Sequence, residues 1–150
     1  MQLKFRSFMA EALAEAQAAG VRGEVPVGAV VVFSDQIVAR AGNRTRELSD
    51  PTAHAEVLAI RAACLALGSE RLPGHDLYVT LEPCPMCAAA ISAVRIGRLY
   101  YGASDPKSGG VAQGPRIFTH PQCHHVPEVY DGISAVEAEA LLKDFFAARR

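Results

Sequence analysis

Leu77-Tyr78-Val79-Thr80-Leu81-Glu82-Pro83-Cys84-Pro85-Met86-Cys87 carries two structural signals and one chemical signal in a single stretch. The apolar run from Leu77 to Leu81 reads as a buried strand. Pro83 suits the first position of a helix, because it lacks the amide proton that would be orphaned there. The helix is expected to run from Cys84 to Val94. Cys84 then falls in the first turn, where free amides and the helix dipole lower a thiol pKa. Cys87 lies on the same helical face, so two thiolates can grip one ion from one helix end.

Working outward, the neighbouring segments supply the rest of an α/β chain. His54-Ala55-Glu56 opens a helix expected over 52–67, with Asp50-Pro51-Thr52 as cap and first turn and Gly68 as its C′ residue. Gly28 to Phe33 is a continuous apolar run, turned at Ser34-Asp35 and followed by 37–41, which predicts a hairpin of buried strands. Arg98 to Tyr101 predicts a fourth strand. Phe5, Met9, Leu13 and Ala16 form the apolar stripe of a first helix that ends near Gly20. A last helix follows the capping box Ser134-Ala135-Val136-Glu137, with Ala138, Leu141, Leu142 and Phe145 facing inward. Strands alternating with helices imply a sheet with parallel members and helices on both faces. Both His54 and Cys84 then begin helices near strand C-terminal ends, where such sheets place ligand sites.

His54, Cys84 and Cys87 are a three-ligand set for zinc. Structural zinc sites close with four protein ligands, whereas catalytic ones keep a position for water. A Cys-x-x-Cys pair by itself is equally a redox pair or a zinc half-site, but the upstream His-x-Glu at a second helix start is a rarer addition. Two thiolates cancel the formal charge of the ion, so it acidifies water less than an all-imidazole site would. A carboxylate that accepts the water's proton offsets that deficit, and Glu56 is placed to do so from the first turn. Glu56 is also a residue that simply complements a helix dipole.

These residues resemble the cytidine-deaminase-like zinc hydrolases, whose signature pairs His-x-Glu with Pro-Cys-x-x-Cys. Within that superfamily the likeness is to the tRNA adenosine deaminases and covers most of the chain. It runs through 24–32, Gly42-Asn43-Arg44, Asp50-Pro51-Thr52-Ala53-His54-Ala55-Glu56, 77–84, 101–110 and Leu141-Leu142-Lys143-Asp144-Phe145-Phe146. The resemblance implies a three-layer α/β/α fold with a central mixed sheet of about five strands and one deaminase domain over residues 1–150. It implies one zinc ion per chain on His54, Cys84 and Cys87, with Glu56 as proton shuttle. It places Asn43, Val27, Ala55 and Pro83 against the substrate, and makes Arg44, Asp105, Lys107, His120, Phe145, Phe146, Arg149 and Arg150 candidate RNA contacts. The implied reaction is hydrolytic deamination of the wobble adenosine of an arginine tRNA to inosine, with the anticodon stem-loop as partner and a homodimer as the assembly. A base unpaired in an anticodon loop leaves its stack at little cost.

Composition bounds the reading. At 150 residues, half of them apolar, the chain buries a substantial core without disulfides. No apolar run approaches the roughly 20 residues of a membrane span, and the start, with Lys4, Arg6, Glu11 and Glu15, does not read as a secretory signal. Four cysteines, two of them metal thiolates, favour a reducing cytoplasm. A net charge of −1 gives no support to nucleic-acid binding, so any RNA surface must be a local patch. Arg44, Arg46, Lys107, Lys143, Arg149 and Arg150 are the candidates, and each is equally a solubilising surface cation.

Cys123-His124-His125 offers three donors, but adjacent side chains diverge, and the segment between Pro121 and Pro127 is expected to be a loop. His75 sits in a Pro-Gly turn with no assigned role, and Cys64 reads as a small hydrophobe. Two other functions stay open. One is a deaminase of free guanine, cytosine or nucleosides on the same fold. The other is a non-catalytic RNA-binding module with structural zinc.

Overall fold

The computed structural model describes residues 5–149. Arg150, an expected RNA contact, lies outside them. Five strands form one sheet in the order β2-β1-β3-β4-β5. They are β1 Gly28–Phe33, β2 Gln36–Gly42, β3 Asp76–Leu81, β4 Arg98–Ala103 and β5 Glu128–Tyr130. The β2-β1-β3 pairings are antiparallel and the β3-β4-β5 pairings parallel, so the sheet is mixed, as expected. Four α-helices complete the fold: α1 Met9–Val21, α2 Ala55–Leu67, α3 Pro85–Ala93 and α4 Ala135–Ala147.

Alternation along the strands assigns the two faces. Ala29, Val31, Leu77, Val79, Leu99 and Tyr101 point to the α2 and α3 side, where they meet Ala55, Ala59, Ile60, Ala63 and Ile91. Val30, Val32, Tyr78 and Tyr100 point to the opposite side, under Phe8, Met9 and Ala12 of the α1 region. Tyr78, Tyr100 and Tyr130 occupy matched register positions on β3, β4 and β5 and stack at 4.4 and 5.0 Å between ring centroids. Cross-strand aromatic pairs of this kind pin register. The result is the three-layer α/β/α arrangement.

Several local expectations need correction. The buried stripe of α1 is Met9, Ala12, Ala16 and Ala19, and Phe5 precedes the helix with 62% exposure. Small residues win there because the helix lies unusually close to the sheet. A Cβ on Gly28 would sit 2.1 Å from the Ala12 carbonyl oxygen and 2.4 Å from the Ala16 nitrogen. Gly28→Ala is therefore expected to destabilise the fold by about 3 kcal/mol, as overpacking does. Urea denaturation measures this, and an unchanged midpoint would contradict so close an approach.

The hairpin forms, but β2 is not buried. It is an edge strand whose side chains alternate between exposed and half-buried until Gly42. Helix α2 begins at Ala55 with His54 as N-cap, not at Thr52. Asp50 instead turns its carboxylate onto the amide and hydroxyl of Thr52, at 2.9 and 2.7 Å. Pro85, not Pro83, opens α3, and Cys84 is its N-cap. The capping box at Ser134 does not form, since Ser134 is left-handed (φ 57°) and makes no side-chain cap. Of the inward stripe of α4 only Ala138 is buried, with Leu141, Leu142 and Phe145 half-covered. Gly68 ends α2 in the left-handed conformation, as expected. His75 has a packing role after all: it is buried, stacks on Phe33 at 4.5 Å and bonds the Pro73 carbonyl through Nδ1 at 3.0 Å.

Candidate active site

The C-terminal ends of β2 and β3 lie at the same end of the sheet, because β1 pairs Gly28 with Gly42 and Ala29 with Val79. The chain leaving each of them turns into a helix, and the N-termini of α2 and α3 converge there. His54 and Cys84 are the two N-caps, both in extended backbone conformation. Each side chain therefore hangs off its helix end rather than lying along the helix. Cys87 rises from the first turn of α3 and is fully buried.

His54 Nδ1 lies 3.6 Å from Cys84 Sγ and 3.5 Å from Cys87 Sγ. Among the described residues, this is the one cluster of such donors whose ligand atoms all lie within 4.8 Å of one another. A tetrahedral zinc with ordinary bond lengths needs nitrogen–sulfur separations of about 3.6 Å. The donor set therefore fits zinc in both chemistry and spacing. Three side chains contribute, and among the described residues no fourth His, Cys, Asp or Glu joins them.

The electrostatics favour a thiolate at Cys84. Two helix N-termini direct unpaired amides and positive dipole ends at the cluster. The Cys87 thiol donates to Cys84, which outweighs burial and, with His54, holds Cys84 down at about 4. Cys87 itself is pushed up, first by that donation and then by burial. Its hydrogen bond with Cys84 raises His54 against the opposing effect of burial. Glu56 is 4% exposed, and burial pushes its carboxyl up to about 6. A carboxyl at that level both takes and returns protons near neutrality.

The remaining pocket residues form a frame. Asn43 Oδ1 accepts the Ala55 amide at 2.8 Å, and the Asn43 amide donates to the Val27 carbonyl at 3.1 Å. Asn43 thus satisfies an orphaned helix donor with its oxygen and keeps its Nδ2 donors for a ligand. Val27 and Ala55 are buried in the core cluster beneath. Pro83 is buried too, and its carbonyl accepts the Gly110 amide at 2.8 Å.

The candidate RNA contacts do not form one surface. Asp105, Lys107, Phe146 and Arg149 line a groove of about 970 Å³ with Lys143 and, at its floor, Leu81. Phe145 stands beside it, carrying the Arg149 guanidinium 3.5 Å above its ring. Asp105 spends one oxygen on the amides of Lys107 and Ser108 in its own turn. Arg44 is elsewhere and pairs with Glu47. His120 lies in a different cavity, with Arg95, Cys123 and His124, and its Nε2 is within 2.8 Å of the Pro115 carbonyl. Cys123 and His125 make bonds to the Ser92 hydroxyl and the Ile96 carbonyl.

Two buried carboxylates went unnoticed in the sequence. Glu24 accepts the amides of Arg46 and Glu47 at 3.1 and 2.9 Å, tying down the loop after Asn43. Glu82 accepts donors from segment 104–113. Each is 2% exposed. For Glu82 the available signal was a charge directly abutting an apolar strand, which needs buried partners.

Comparison with known proteins agrees with the geometry. The cytidine and deoxycytidylate deaminase zinc-binding region matches residues 4–103. A tRNA-specific adenosine deaminase of Agrobacterium fabrum is 62% identical over 95% of this chain and 94% of its own length. A solved structure from work on A-to-I editing by tRNA:A34 deaminases at the wobble position superposes with a TM-score of 0.89. It is 63% identical, covering 90% of this chain and 98% of its own. The guanine deaminase of Bacillus subtilis is more distant, at 31% identity and a TM-score of 0.67 over 98% of this chain and 94% of its own. An identity this high over nearly the whole length, on a metal site of matching chemistry, makes the chain a member of the tRNA-specific adenosine deaminase family.

Proposed function

We propose that the protein hydrolyses the exocyclic amino group of adenosine at the wobble position of an arginine tRNA, giving inosine and ammonia. The observation that carries this reading is a buried, proton-ready Glu56 beside three converging zinc donors that stop short of a closed site. One zinc per chain would be held by His54, Cys84 and Cys87. When bound, zinc supplies a Lewis acid that brings the pKa of water within reach of neutrality.

The protein's own groups do the rest. A Glu56 carboxylate oxygen takes the proton from the attacking water and gives it to N1 of adenine as the new bond forms at C6. The carboxyl then carries the second water proton to the departing amino group, and the C6–N bond breaks to release ammonia. Asn43 Nδ2 donates to the nucleoside and so orients it, while Val27, Ala55 and Pro83 wall the pocket and exclude water.

Lys107, Lys143 and Arg149 give a protein of net charge −1 a local cationic groove for phosphates. Phe146 is 47% exposed there and offers a face on which a splayed base can stack. Arg44, Phe145 and His120 are assigned to flanking nucleotides only in so far as the RNA reaches beyond that groove. Residues 1–150 act as one deaminase domain in the cytoplasm, where the two metal-binding thiols and the remaining Cys64 and Cys123 are kept reduced. Among the described residues no helix is long and apolar enough to cross a membrane. A homodimer is supported by the apolar groove of about 700 Å³ between α2 and α3, where Leu65 is 84% exposed.

The test offers an arginine-tRNA anticodon stem-loop, and separately adenosine, cytidine, cytosine and guanine, and measures ammonia and inosine. Inosine is expected from the stem-loop alone, at a rate that falls as salt rises. Product from guanine or cytosine but not from the stem-loop rejects the reading in favour of a free-base deaminase.

A further inference from the structure

Glu82 is a buried carboxylate that the deamination chemistry leaves without a task. Its Oε1 accepts the Asp105 amide at 3.0 Å and the Ser104 hydroxyl at 3.3 Å. Its Oε2 accepts the amides of Val111, Ala112 and Gln113 at 3.2, 2.9 and 3.0 Å. All of these donors belong to segment 104–113, which contains neither helix nor strand. Without a ladder of its own, the segment has four of its amides, those of Asp105, Val111, Ala112 and Gln113, satisfied by one side chain reaching up from the sheet. An apolar residue could fill the same space but would leave buried donors unpaired.

The segment touches two things that matter. On one side it rests on the metal corner: the Gly110 amide bonds Pro83, and a Cβ on Gly110 would sit 2.5 Å from the Pro85 nitrogen. On the other side Asp105, Lys107 and Ser108 form one wall of the groove whose opposite wall is α4. The segment is therefore the piece of chain that spans from the zinc-bearing helix to the cationic groove.

The geometry points to Glu82 as a positioning residue for RNA: it clamps segment 104–113 so that the groove holds flanking nucleotides at a set distance from the adenosine pocket. This rests on the tRNA reading above. Glu82 touches neither substrate nor metal, and acts through the segment it holds.

Two substitutions disturb the clamp from opposite sides. Glu82→Gln keeps the shape but turns an NH₂ toward amide donors, so at least one bond becomes a repulsion. Gly109→Ala leaves the carboxylate intact, but its Cβ would lie 2.6 Å from Glu82 Cδ and Oε2 and from the Asp105 carbonyl oxygen. Both variants are expected to keep their zinc and to raise the KM for the anticodon stem-loop about tenfold, with kcat within about threefold. The amides of Asp105, Val111, Ala112 and Gln113 are expected to exchange faster with solvent.

Protection unchanged in Glu82→Gln overturns the clamp, and faster exchange with an unchanged KM overturns its service to RNA. Zinc loss in both variants, with kcat and KM deteriorating together, assigns Glu82 to the metal site and also overturns the inference. If the wild-type protein is inert toward the stem-loop, the substrate reading has failed. The positioning role falls with it, while the exchange measurement separates that outcome from a failure of the clamp itself.

Discussion

Glu56→Gln protein is expected to hold as much zinc as the wild type while converting stem-loop adenosine about a thousandfold more slowly or worse. The glutamine is isosteric and neutral, so it adds no charge to a site that is 4% exposed, and the fold has no reason to change. What disappears is the side chain placed in the pocket to take a proton from water and hand it back. Burial has already brought that carboxyl up to about 6, matched to transfer near neutrality. Proton transfer occurs at the reacting atoms, so the loss should fall on kcat with KM little changed. Metal analysis beside steady-state kinetics decides the matter. A zinc-loaded variant within tenfold of wild-type kcat would remove Glu56 from the mechanism.

Cys87→Ala should instead abolish activity by abolishing the metal. Cys87 is fully buried, within 3.5 Å of His54 Nδ1, so no solvent ligand can easily take its place. Outer-sphere partners alone are worth about 10–100-fold in metal affinity, and a direct thiolate ligand should be worth more than about a hundredfold. The same substitution should lower the melting temperature and make it insensitive to chelator, because bound zinc stabilises only the folded state that assembles its ligands. The wild type should lose melting temperature when treated with chelator. Cys123→Ala is the matched control, since the Cys123 thiol bonds Ser92 and the His125 carbonyl and its loss should leave zinc content at the wild-type level. A stoichiometric, tightly held metal in Cys87→Ala would mean that the ligand set is wrong.

Elements with a strong local pattern were legible, and those defined by distant partners were not. The β1 and β3 runs, the Ser34-Asp35 turn and the Gly68 stop match the structure, since each depends on burial period or on one residue's backbone freedom. The expected starts of α2 and α3 lay three residues and one residue too far toward the N-terminus. At α2 and α3 a proline preceded the true cap, and tertiary demand placed His54 and Cys84 at the N-cap positions instead. The α1 stripe shifted for a related reason: Gly28 and Gly42 bring the helix so close to the sheet that alanines, not larger residues, face inward.

The same division holds at the site. His54, Glu56, Cys84 and Cys87 could be chosen by residue type and spacing, because zinc chemistry accepts few donors and the paired motifs leave little else to choose. Bringing Nδ1 and the two Sγ atoms within bonding range of a shared ion required β1 to pair with both β2 and β3, so that two separate helix N-termini meet at one end of the sheet. Glu24 and Glu82 show the limit most clearly. Glu24 has no local pattern and Glu82 only its place beside a strand, and their partners lie more than twenty residues away along the chain. The sequence by itself determined which atoms could bind a metal and move a proton. Only the tertiary structure decided which loops those buried carboxylates hold, and which of the cations share a groove, because such neighbours are set by chain packing and not by spacing.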